Sequence, residues 1–121
     1  MSGAVAEEPL VPEDPEDLKL ITLARAALAR GGVNQGACIR DSDGRAYAAT
    51  SVHLEHLKLS AIAVAVAMAV SSGAGGIEAV ALLGEQGPSA EDLEILRDLS
   101  GDGVTVWWAD GHGTVLSMIE L

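Results

Sequence analysis

The sequence predicts an α/β fold of three layers, α-β-α, around a five-stranded mixed sheet in the order α-β-β-α-β-α-β-β. Three observations point there. Apolar segments of helical period alternate with short strand-like runs. Two tight turns, at 41–44 and 110–113, each join a pair of such runs into an antiparallel hairpin. Between them, 77–108 reads as strand–helix–strand, which calls for a parallel, right-handed crossover. The 121 residues are 49% hydrophobic yet only 2% aromatic, with no Phe, so a single core must be packed from Ala, Val, Leu and Ile.

Residues 1–13 hold two of the four prolines and three acids with no base, and read as a flexible acidic tail ahead of a domain at 14–121. Asp14-Pro15-Glu16-Asp17 starts a helix: Asp14 caps, Pro15 suits the first helical position, and the acids favour the positive helix end. Leu18, Ile21, Leu23, Ala24 and Leu28 follow at roughly helical spacing until Gly31-Gly32. Residues 35–40 and 45–50 form the first hairpin around Asp41-Ser42-Asp43-Gly44. Residues 57–72 alternate Ala and Val. Ala favours helix over strand and sixteen residues is long for a strand, so a helix is expected, apolar nearly all round. Residues 77–83 read as a buried strand. Pro88-Ser89 opens the third helix, with Ser89 and Asp92 at capping-box spacing and Leu93, Leu96 and Leu99 behind them. Strands at 104–109 and 114–119 close the chain.

Eighteen acids against seven bases give a net charge of −11, which argues against electrostatic binding to nucleic acid or to an anionic membrane. Residues 1–17 carry six of the acids, so the rest of the chain is only moderately acidic. One Cys excludes an internal disulfide and a Cys-rich zinc site within one chain. The N-terminus has neither base nor apolar run, so no signal peptide is expected. The longest apolar run, 59–70, is too short to span a bilayer, and the expected location is the cytoplasm.

Several pieces stand in a particular order. Gly36-Ala37-Cys38 is followed by Asp43-Gly44-Arg45-Ala46-Tyr47, then Ser51-Val52, then Ala69-Val70-Ser71-Ser72-Gly73, then Pro88 and a Leu-rich helix, Val106, and a turn with Asp110, Gly111, Gly113 and Thr114. Over about 18–121 this resembles the small, homo-oligomeric cytidine deaminases, whose hairpin reads VGAA…DGR-aromatic. The resemblance implies a zinc ion on three Cys or His/Cys ligands, from a C/H-A-E motif and a P-C-x-x-C motif, with the Glu moving protons during attack on cytosine C4. Counting back from Gly73, C-A-E falls on Ser60-Ala61-Ile62, and P-C-x-x-C falls on Pro88-Ser89-Ala90-Glu91-Asp92. All three ligand positions lack sulfur, and Ile62 cannot carry a proton. The ribose-gripping Asn and Glu of the family's NVEN fall on Ser51 and His53, and its base-stacking Phe falls near Val33. A degenerate member is therefore expected, with no catalytic residue, no metal ligand and no zinc or other cofactor.

Other residues invite different readings. His53-Leu54-Glu55-His56 contains H-x-E, but seven residues early and with only Asp92 left as a partner ligand, so a solvated loop or first helical turn is expected. Cys38 reads as a buried, inert thiol. His112 reads as an exposed turn residue. Trp107 and Trp108 point to opposite faces of one strand. One belongs to the core, and the other either anchors an interface or covers the sheet.

Three hypotheses remain. The first is a catalytically inactive, deaminase-like pseudoenzyme that serves as a binding or scaffold module for a protein partner, and a homo-oligomer (dimer or tetramer) through the helix at 57–72. The second is a divergent deaminase-type hydrolase with a relocated metal site around His53, Glu55 and His56. The third is a small-molecule sensor. The first is the reading adopted.

Overall fold

The computed structural model describes residues 10–31 and 34–121. Residues 1–9 of the expected tail, and Val33, lie outside the described residues. At the inner end of that tail Pro12 is buried. The elements are α1 (Pro15–Gly31), β1 (Gly36–Asp41), β2 (Ala46–Thr50), β3 (Val52–His53), β4 (Lys58–Leu59), α2 (Ala61–Ser71), β5 (Ile77–Leu83), α3 (Ala90–Arg97), β6 (Ser100–Ala109) and β7 (Val115–Glu120).

Five strands form one mixed sheet in the order β2-β1-β5-β6-β7, as the alternation of segments requires. Only β5 and β6 run parallel, joined through α3, while β1–β2, β1–β5 and β6–β7 are antiparallel. Central strands are covered on both faces, so β5 is a near-continuous apolar run without alternation. On one face Ile39, Val80, Leu82 and Val106 pack with Ile62, Val66 and Leu96 of α2 and α3. On the other, Cys38, Ala81, Leu83 and Trp107 pack with Leu20, Ile21 and Ala24 of α1. α1 packs close to β1 at Gly36. A Cβ on Gly36 would fall 2.9 Å from Leu28 Cβ and inside the carbonyl oxygen of Ala24, so only glycine admits this approach.

Two expectations need correction. The helix drawn over 57–72 begins at Ala61. Lys58 and Leu59 instead form β4, pairing with β3 through Val52↔Leu59 and His53↔Lys58 in a separate two-stranded sheet. Ser60 then caps the helix, its hydroxyl accepting from Ala63 N–H. α2 is apolar nearly all round, as expected: Ala61, Ile62, Ala65, Val66 and Ala69 are buried, while Ala67, Met68 and Val70 face outward. The last two strands also begin differently, β6 at Ser100 and β7 at Val115.

The first hairpin is held by Asp41, which is 1% exposed. Its carboxyl accepts from the N–H groups of Asp43 and Arg45 (both 2.9 Å) and from the Tyr47 hydroxyl (2.8 Å). Gly44 supplies the positive φ (86°) that closes the turn. Burial by itself would push the Asp41 carboxyl up. The hydrogen bonds from Arg45, Tyr47 and Asp43 outweigh it and hold the group below the usual carboxylate range. Its stabilisation is therefore present above the unfolded-state value of about 3.9 and is lost as pH falls through the lower folded value. Tyr47→Phe removes one of those bonds. Its acid-unfolding midpoint, followed by circular dichroism, is expected at higher pH than wild type.

Candidate functional site

The caps of α2 and α3 meet. α2 begins behind Ser60, and α3 begins behind Ser89, which forms a full capping box with Asp92. Asp92 N–H donates to Ser89 Oγ (3.0 Å), and Ser89 N–H donates to Asp92 Oδ2 (3.1 Å). The box is not closed on itself: Ser60 Oγ–H donates to Asp92 Oδ1 at 2.5 Å across 32 residues of sequence. Asp92 is 3% exposed. The Gln35 side chain, entering from the segment before β1, accepts from Ala61 N–H (3.2 Å) and satisfies another of the free donors at the start of α2.

Beside this junction opens a cleft of about 800 Å³. Its walls are Leu28, Asn34 and Gln35 on one side, Ser51, Val52 and His53 with Lys58, Leu59 and Ser60 on another, and Gly84, Glu85, Gln86 and Gly111 at the ends of β5 and β6. A crevice beyond the carboxyl ends of parallel strands is the usual ligand position in open α/β sheets. Trp108 fixes one wall. Its indole N–H donates to the Gly84 carbonyl (3.1 Å), and its ring would meet a Cβ on Gly87 at 3.1 Å. Trp107 belongs to the core, with its N–H on Asp17 Oδ2 (3.1 Å). Trp108, the second tryptophan, is half-buried against the β5–α3 loop.

The sequence-derived candidates separate in space. Ser51 and His53 line the cleft. Glu55 and His56 are exposed in the turn between β3 and β4 and do not line it. Asp92 is committed to the two caps. Among the described residues no group of three His, Cys, Asp or Glu side chains could hold a metal ion, so His53, Glu55 and His56 are not brought together as a site. Cys38 is fully buried, and burial pushes its thiol up to about 11. His112 is exposed, its N–H donating to Asp110 Oδ1 (2.9 Å) in the β6–β7 turn. Gln35, Asn34, Lys58, Glu85 and Gln86 escaped the sequence reading. Lys58 was hidden by its placement in the helix, and the rest carry no local motif.

A family model for cytidine deaminase-like proteins matches residues 13–113. The chain belongs to the cytidine deaminase-like family. Among curated protein sequences none matches significantly. Solved structures agree on the fold. The cytidine deaminase of Burkholderia pseudomallei superposes with a TM-score of 0.73 at 21% identity, over 84% of this chain and 90% of that one. The enzyme of Mycobacterium leprae gives 0.66 at 20% identity, over 74% and 85%. That of Mycobacterium tuberculosis gives 0.65 at 22%, over 73% and 80%.

The positions that the deaminase-like resemblance assigns to zinc ligands are Ser60, Ser89 and Asp92, and they are the residues that meet at the helix caps. Their donors are two hydroxyls and one carboxyl group, each already hydrogen-bonded to the others or to a cap. Zinc in such sites takes thiolate and imidazole, so this set does not fit the ion. At the position that the same resemblance assigns to the proton-moving Glu stands Ile62, with no exposed surface. A Ser60→Cys/Ser89→Cys/Asp92→Cys variant is expected to take up about one zinc per chain, as three thiolates from two helix starts make a ligand set. Elemental mass spectrometry after zinc loading and desalting checks it. A variant that folds but stays without zinc would show that these are not the family's ligand positions.

Proposed function

We propose that this chain is a non-catalytic member of the cytidine deaminase-like family, a cytoplasmic binding or scaffold module that works as a homo-oligomer and through a protein partner. The observation that carries the reading is the content of the junction. Ile62 replaces the proton carrier, and Ser60, Ser89 and Asp92 use their polar atoms on one another. Deamination needs a metal-activated water and a group that takes its proton. Neither has a side chain here to serve it. Purified, zinc-loaded protein is expected to hold less than about a tenth of a zinc atom per chain and to leave the ultraviolet absorbance of cytidine unchanged. Near-stoichiometric zinc together with turnover would overturn the reading.

The outer face of α2 supports self-association. Met68 is 39% and Val70 54% exposed, Ala67 lies between them, and no residue of the helix is charged. A chain of net charge −11 repels its own copy, so an uncharged surface of small residues is where two copies approach at least electrostatic cost. A two-fold contact brings the same patch to itself. Dimers or tetramers are expected by sedimentation at micromolar concentration, and Met68→Glu is expected to yield folded monomers. A wild-type chain that sediments as a monomer would remove this part of the reading. No helix among the described residues is long and apolar enough to cross a membrane.

A further inference from the structure

Two helix starts that share one junction create a physical problem. Each N-terminus carries about half a positive charge, and each leaves backbone N–H groups without intrahelical partners. Directed at the same place, they repel each other unless something negative lies between them. In a zinc site of this layout, thiolate ligands would supply the negative charge and the metal the covalent tie. Here the positions hold no thiolate.

Asp92 occupies the place between the caps. One of its oxygens accepts from the N–H of Ser89, the cap of α3 (3.1 Å). The other accepts from the hydroxyl of Ser60, the cap of α2 (2.5 Å). The Ser60 oxygen meanwhile accepts from Ala63 N–H (3.1 Å), so the chain of hydrogen bonds runs unbroken from the first turn of α2 to the first turn of α3. A carboxyl group 3% exposed, with both oxygens engaged, is shielded from competition by water. We propose that the Ser60–Asp92 hydrogen bond is a metal-free clamp that joins the starts of α2 and α3 in place of the ion the family would hold there. The clamp rests on the assignment of positions 60, 89 and 92 and is independent of whether the protein acts as a scaffold.

The test is a double-mutant cycle on the full chain, with thermal unfolding followed by circular dichroism. Ser60→Ala and Asp92→Ala are each expected to lower Tm, the latter by roughly 4–8 °C. The double variant is expected to fall by less than the sum of the two single losses, since either change already breaks the clamp and Ser60→Ala then adds only the loss of its cap on Ala63 N–H. Wild-type Tm is expected to be the same with EDTA, with added zinc chloride and with neither. If Asp92→Ala does not fold, Asp92→Asn, which keeps one acceptor oxygen, replaces it in the cycle. Losses that simply add would overturn the clamp and leave the non-catalytic reading standing. A wild-type Tm raised by zinc and lowered by chelator would overturn both.

Discussion

The molecule depends on how two helix starts share one junction. The parallel pair β5–β6 requires α3 to begin just past the end of β5, and the hairpin β3–β4 delivers α2 to the same place. Everything of functional interest follows from that convergence. It sets the position of the cleft, it decides that Ser60 and Asp92 meet, and it places Ile62 under the cap where it can only be core. The chemistry of such a junction is governed by its positive helix ends. Thiolates around a metal can answer them, and so can a buried carboxyl group that accepts hydrogen bonds from both caps.

The rest of the core shows the same economy of side chains. With no Phe, the two faces of the sheet are packed mainly by Ala, Val, Leu and Ile with one Trp, Trp107. Gly36 lies against Ala24 and Leu28, where a Cβ would not fit. The charged groups that do enter the interior are tied down. Arg40 lies 2.9 Å from Asp17 Oδ1 and 3.0 Å from Glu78 Oε2, and Asp17 also receives the Trp107 indole. Asp41 is enclosed by its own hairpin. The outer face of α2, preceded by exposed Leu57 and Leu59 in the hairpin that feeds it, is the surface on which self-association is proposed.

Much of the fold was legible because it is written in local signals. Asp14-Pro15 announced α1, Asp43-Gly44 the first hairpin, Ser89 and Asp92 the capping box of α3, and the apolar run at 77–83 a strand covered on both sides. The start of α2 was misread for an equally local reason. Leu57, Lys58 and Leu59 suit a helix by propensity, and nothing in them states that Lys58 will pair with His53. The candidate site was legible only in part. Counting from Gly73 and Pro88 located Ser60, Ser89 and Asp92, while the cleft walls at Gln35, Lys58, Glu85 and Gln86 carry no spacing that a sequence can reveal.

By itself, then, the sequence determined the order of the three helices and of the five strands of the main sheet, the aromatic-poor core and the absence of thiol and Glu at positions 60, 62, 89 and 92, since these are matters of residue identity and of contacts between near neighbours. The tertiary structure alone decided that Asp92 faces Ser60 rather than His53, that His56 and Glu55 stand apart in solvent, and that one side of α2 is left bare. Those are relations between segments 30 or more residues apart, or between a helix and the layer that covers it, and only the packing of the whole chain brings such groups to hydrogen-bonding distance or leaves them in water.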